Sequence, residues 1–558
     1  NGKLNIDRLN FFSNCTFKLN AGASIHVTNG NSMFSTTSLY SACSDIMYQG
    51  IVVEKGGFLI FQSNTIEHAN YGILIEADGI AFQISNNSFI RNNIGIGVRK
   101  DALVGNDIYS NTFDGFGGLL SGFDGQTPER EYLPFTGIEV QDNIITVGTV
   151  GANIFQNLRN GIISINSSIT VQNNTFTSMV SGQNQAGATI DGNGIFATGS
   201  NLVHVNLNDF DECYFGINSY ASSLTNVEYN TMNHIGTGIL DRHGRLTTRI
   251  FNNIISYGNF GIRVLNAERN TNPSIYYNEL TDLTQKPDRK ESIAIQMNNA
   301  FGTAPTHHPE INYNIITLNF HNIGIETNNV SGVGYYNNEI TGENFKTGIH
   351  LVVSRYGHLF ENTVTAGFFH DFLTGIHVEI SQDTRYCCNT VENCSQGFLF
   401  TGACPRSTWR NNIITRCNIG LLISSGAFIG TQMLVVPAGN SWTTWTAGNN
   451  HGVNAENGNS TGSRQFLRSQ IRALGCTLPQ WPLFISPAQS CDNNPNNWFI
   501  TTEVSNVTCF SDGPCEVSFA FSPVIDNWSI DVATGAFLAE DFGDMHQWEG
   551  NRALYKDL

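Results

Sequence analysis

Glycine followed by isoleucine recurs along this chain at an interval that restricts what it can fold into. The pair stands at Gly50, Gly72, Gly95, Gly137, Gly161, Gly194, Gly216, Gly238, Gly261, Gly324, Gly348 and Gly375, and Gly397-Phe398 and Gly420-Leu421 extend the series. Many of the intervals are 22 to 24 residues. A fixed period of that size marks a solenoid, in which each repeat contacts only its neighbours, so a chain of 558 residues need not split into globular domains.

A second mark, Asn-x-apolar, recurs once per period, as in Asn64-Thr65-Ile66, Asn174-Thr175-Phe176, Asn230-Thr231-Met232, Asn338-Glu339-Ile340 and Asn412-Ile413-Ile414. Apolar residues alternate at spacing two, which excludes a helical solenoid and implies short parallel strands wound into coils. Ile73 and Ile75, Ile138 and Val140, and Ile349 and Leu351 are expected to point inward. Glycine before each strand is expected to permit a corner of positive φ. The repeated asparagine is expected to tolerate left-handed geometry and to hydrogen-bond its copy one coil away. The charged share of 13% is about half the usual one, and 55 glycines against 14 prolines suit strands with tight corners.

Residues 50–430 resemble the right-handed parallel β-helix superfamily that includes pectate lyases, and most closely the asparagine-rich β-helix repeat proteins exported by Bacteroidota. The resemblance implies a right-handed parallel β-helix of roughly fifteen coils. It implies little about activity, since that superfamily holds lyases, hydrolases, epimerases, phage spikes and adhesins. Neither Asn-Thr-Asp with a downstream Gly-His-Gly, as in polygalacturonases, nor Asp-Pro-His-Asp, as in mannuronan epimerases, occurs here.

The expected organisation is residues 1–49 as irregular first coils, 50–432 as the β-helix and 433–515 as a loop-rich cap containing tryptophan, proline and cysteine. Residues 516–558 read as a short β segment and a helix. The chain reads as processed or partial at both ends. Most insertions, at roughly 114–136, 177–193, 281–291 and 365–374, fall at one corner of the coil, which should gather them on one edge; 298–310, before its asparagine, is the exception. A net charge of −18 argues against nucleic acid or an anionic membrane as partner, and no run of 18 apolar residues offers a membrane span. Twelve cysteines suggest an oxidising, extracellular or cell-surface location. Cys15/Cys43, Cys476/Cys491 and Cys509/Cys515 are expected pairs, and Cys394 and Cys417, one period apart, should stack.

Outward positions of the Gly-Ile strand carry Arg242, Arg263, Glu326, His350, His377 and Glu379, and His350 should stack on His377. Such a polar stripe suits an extended polysaccharide. The plainer reading is a solvated face. A β-eliminating lyase needs a base and cations against a uronate, with Ca²⁺ as the possible cofactor. Arg242, His243 and Arg245 form the best cationic cluster, and Lys286, Asp288, Arg289 and Lys290 the next, neither with a carboxylate trio for calcium. Glu326 and Glu379 lie two coils apart, about 10 Å by strand spacing, which is wide for a hydrolase pair. His307-His308 and Cys387-Cys388 cannot chelate as pairs, because neighbours on a strand face opposite ways, and no zinc-type cysteine spacing occurs. Phe368 and Phe369, with exposed cap tryptophans, could stack on sugar or bind protein. A regular ladder without a recognisable catalytic constellation points to a structural, adhesive protein that binds glycan or a surface protein through its loop-rich edge. A polysaccharide lyase or glycoside hydrolase acting on the outward Gly-Ile sheet is the rival, and a self-assembling filament subunit the third reading.

Overall fold

The computed structural model describes residues 2–443, except 106, 121–133, 180–191, 257, 268–271, 282–291, 302–307, 320–321, 368–372, 425 and 431–439, and four short strands beyond. The chain forms two compact units, Asn1–Asn266 with Tyr276–Gln296 and Ala267–Ile275 with Met297–Leu558. Each is built from right-handed coils of three parallel strands, about 16 turns between them; the first strands of the coils form the Gly-Ile sheet, and the third strands, which follow the asparagine mark, form the third sheet. All described secondary structure is strand, and no described helix is long and apolar enough to cross a membrane.

In the first unit the inward register column of the Gly-Ile sheet is isoleucine from Ile25 to Ile262. After Leu4, which opens the column exposed at the N-terminal end, Ile25, Ile51, Ile73, Ile96, Ile138, Ile162, Ile195, Ile217, Ile239 and Ile262 pair coil to coil and are buried. Residues before Gly50 also form coils in register, without the Gly-Ile mark: Ser24–Val27 pairs with Lys3–Ile6 on one side and Tyr48–Val53 on the other. In the second unit the corresponding column is Ile325, Ile349, Ile376, Phe398 and Leu421.

The recurrent spacing of glycine has a different cause from the expected corner. Of the Gly-Ile glycines only Gly50 has positive φ; the others lie within extended strand. What they supply is room. Phe89, Phe113, Phe155, Phe176 and Phe210 form a continuous stack in the third sheet, with centroids 4.7 to 4.8 Å apart and planes within 7° of parallel. Each ring lies against a glycine of the first sheet. A Cβ on Gly161 would sit 2.5 Å from Phe176 Cδ1 and 2.6 Å from the Gly194 carbonyl oxygen. In the second unit Ile340, Val364 and Val391 fill that place against Gly324, Gly348 and Gly375. Gly161→Ala is therefore expected to destabilise the first unit by about 2–3 kcal/mol, since neither ring nor carbonyl can retreat without breaking the stack. A denaturant titration would measure it, and an unchanged midpoint would remove the packing explanation.

The asparagine mark splits into two functions. The left-handed residue is the one before it: Ser63, Asn86, Ser110, Asn173, Leu207, Tyr229 and Asn252 in the first unit, Tyr313, Asn337, Glu361, Cys388 and Asn411 in the second. The asparagine itself is buried and forms a ladder, each Oδ1 accepting from the backbone and side-chain N–H of the preceding rung. Asn153 and Asn440 are rungs of the same kind, and Thr37 stands in for the asparagine at the start. The coil pattern also runs past 432. Ala455–Asn457 and Ile485–Ser486 add to the Gly-Ile sheet, and Trp442 pairs with Ile414 in the third.

Two further expectations change. Trp442 is fully buried rather than exposed, against Trp409 and Phe499. The eight described cysteines are all thiols, so Cys15 and Cys43 form no staple. Cys394 and Cys417 do meet, as thiols: their hydrogen bond and burial raise the Cys394 pKa. Trp445, Trp481, Trp498, Cys476, Cys491, Cys509, Cys515 and the terminal β segment and helix lie outside the described residues.

Candidate functional site

On a strand of period two, residues either side of the inward isoleucine face out. In the second unit three consecutive strands, Ile323–Asn328, Thr347–Val352 and Thr374–Glu379, place Glu326, His350 and His377 in one register column. Glu379 stands in the neighbouring column, paired with Val352 and Thr401. The expected histidine stack is present: the rings of His350 and His377 are 4.6 Å apart and 9° from parallel.

The two glutamates approach His350 from opposite sides. Glu326 Oε2 is 3.7 Å from His350 Nδ1, and Glu379 Oε2 is 3.8 Å from His350 Nε2. Strand spacing alone would keep these carboxylates two coils apart; their side chains lean inward to share one imidazole. His350 Nε2 is buried and makes no hydrogen bond. His377 Nε2 lies 3.0 Å from the Thr401 hydroxyl. Burial first, then the nearby His350 and Lys346, pushes the His377 pKa down to about 4, so its ring is neutral at pH 7. His350, His377 and Glu379 each offer a ligand atom, all within 4.8 Å of one another. Sequence spacing shows no metal motif here, because these ligands come together only through coil register. Thr401 and Lys346 were equally hidden, one coil away or at a corner.

The basic residues of the first unit are differently engaged. Arg242 lies over the Tyr220 ring at 5.6 Å and donates to Asn218 Oδ1 at 3.3 Å. His243 turns the corner with φ 57° and meets Tyr220 edge-on. Arg245 is exposed at the following corner. Arg263 lies over Phe260 at 4.2 Å and donates to Gln296 at 2.8 Å. Asp241, next to Arg242 in the chain, faces the interior, where the Thr248 hydroxyl donates to it and burial pushes its pKa up to about 6. An acid at an inward position was legible in Gly238-Ile239-Leu240-Asp241, where Val264 holds the same place one coil on. Lys286, Asp288, Arg289, Lys290, His307, Phe368 and Phe369 lie outside the described residues.

Residues 4–126 match the family described as right handed beta helix region. No curated protein matches the chain. Among solved structures, a mutant of the periplasmic alginate epimerase AlgG is 13% identical, with 73% of each chain covered and a TM-score of 0.23. A double mutant of the same epimerase is 12% identical over 71% of this chain and 76% of that one, TM-score 0.23. The Dettilon tailspike protein is 12% identical over 79% of this chain and 64% of that one, TM-score 0.21. With its parallel in-register ladders, its all-strand coils and the family match at its N-terminal end, this chain is a right-handed parallel β-helix protein.

Proposed function

We propose that this is a secreted or cell-surface β-helix that binds an extended glycan along the outward face of its Gly-Ile sheet. The observation behind this reading is the polar column Glu326, His350 and His377, flanked by Glu379 and Thr401, at one rung per coil. Groups repeated about every 4.8 Å along a rigid sheet can hydrogen-bond a polymer repeatedly without ordering any loop. The glutamates and the charge of −18 favour a neutral polysaccharide over a polyuronate. A uronate lyase would need cations turned towards ligand, whereas Arg242 and Arg263 lie on aromatic rings and on Asn218 and Gln296.

A glycan array followed by affinity electrophoresis tests this. His377→Ala and Glu379→Ala should each weaken binding to the selected polysaccharide about tenfold, or 1.4 kcal/mol. Undiminished binding in both variants would move the ligand elsewhere. One observation favours a second reading, a glycoside hydrolase: two carboxylates face each other across a single imidazole. Release of new reducing ends that Glu326→Gln abolishes would put that reading first.

A further inference from the structure

We propose that His350, His377 and Glu379 bind a divalent transition-metal ion of the zinc type, with Glu326 holding the His350 ring from behind. The glycan reading is not needed for this, because the argument rests on the four side chains alone.

The gap between His350 Nε2 and Glu379 Oε2 is 3.8 Å, too long for a hydrogen bond. Yet Nε2 is buried and has no other hydrogen-bond partner. A zinc ion about 2.0–2.2 Å from each of these atoms would fill that gap. Nδ1 of the same ring faces Glu326 at 3.7 Å. A small closure would let Nδ1–H donate to that carboxylate and leave the Nε2 lone pair directed at the metal, the usual carboxylate–histidine–metal relay. His377 supplies the second imidazole from the next coil, its ligand atom within 4.8 Å of the other two. The rings now stack nearly parallel, so binding requires them to swing about χ2, a soft torsion for histidine. Two imidazoles and one carboxylate form a donor set suited to zinc, cobalt or copper rather than calcium, which takes six to eight oxygens. All three ligands lie on one outward face, so a further coordination position would remain open to solvent.

The test is metal binding by the full chain after chelator treatment and dialysis, followed by calorimetric titration with Zn²⁺ and by the visible spectrum with Co²⁺. One tight equivalent of Zn²⁺ is expected, together with the intense d–d bands of low-coordinate Co²⁺. His377→Ala and Glu379→Gln should each remove that equivalent. Glu326→Gln should keep the stoichiometry and weaken affinity 10- to 100-fold, as loss of a supporting carboxylate does. Circular dichroism shows whether each variant retains its strands; for any that does not, the conservative His377→Gln takes its place. Absence of a tight equivalent, or one that survives both ligand substitutions, overturns the proposal. Equal binding of Ca²⁺ overturns it too, since a diffuse acidic surface would then explain the uptake.

Discussion

Asn230→Ala should cost the first unit about 4–6 kcal/mol, far more than the removal of one polar side chain usually does. Asn230 Oδ1 accepts from Asn208 N and Nδ2, both at 3.0 Å. Its own Nδ2 is shared among Val205 O at 3.0 Å, Glu228 O at 2.9 Å and Asn253 Oδ1 at 3.0 Å. Alanine would strand the buried Asn208 N–H and withdraw a donor from two carbonyls, and water cannot enter to replace them. Each unsatisfied buried group costs about 1–3 kcal/mol. The ladder also holds Tyr229 in its left-handed conformation, φ 54°, so strain there loses its support. Substitution of the exposed Asn201 should stay within about 0.5 kcal/mol. Because a solenoid unfolds through neighbouring repeats, hydrogen exchange should accelerate most in the coils around residues 205–255. Uniform exchange, or a cost near that of Asn201→Ala, would show that the ladder is not what holds this corner.

Asp241→Asn should stabilise the protein at neutral pH, by about 3 kcal/mol at pH 8. Asp241 is completely buried among Ser219, Thr225 and Thr248, with His243 the charge that acts on it. Burial raises its pKa from 3.8 to about 6 in the folded state. A raised pKa means that folding favours the protonated acid. Its contribution is fully present below about pH 4, where folded and unfolded chains both carry the proton. It is lost as pH rises through about 6, because the folded chain must then either hold a costly proton or ionise a carboxyl inside the coil. Two pKa units correspond to about 3 kcal/mol. Asparagine keeps the shape and an acceptor for Thr248 but cannot ionise. Wild type and variant should therefore match in stability near pH 3.5 and diverge between pH 4 and 6. Denaturation curves across that range check the result, and a pH-independent difference would mean that packing, not ionisation, separates them.

The candidate site was legible to an unequal degree. His350 and His377 occupy the same place after successive glycines, so their stacking followed once the period was known. Glu326 and Glu379 were also identified, but strand spacing kept them two coils apart. It could not show both carboxylates bending towards one imidazole, because that depends on side-chain torsions. The grouping of two histidines with Glu379 stayed hidden for a related reason: Glu379 belongs to another register column, and only the lean of its side chain brings it in. Arg242 and Arg263 look like free cations in sequence, since nothing local announces the Tyr220 and Phe260 rings beneath them.

Period and alternation by themselves determined the coil, its parallel strands, the inward isoleucines and the stacking of asparagine on asparagine. Those properties repeat, and a repeat writes its contacts at a fixed offset along the chain. Tertiary structure alone decided why the glycines are glycines. A glycine is silent about its own cause: corner and close approach leave the same letter, and the Phe176 ring that fills the space above Gly161 comes from a different sheet. It alone also decided which residue carries the left-handed turn, because the ladder hydrogen bonds impose that conformation on whatever precedes the asparagine, whether serine, leucine or tyrosine.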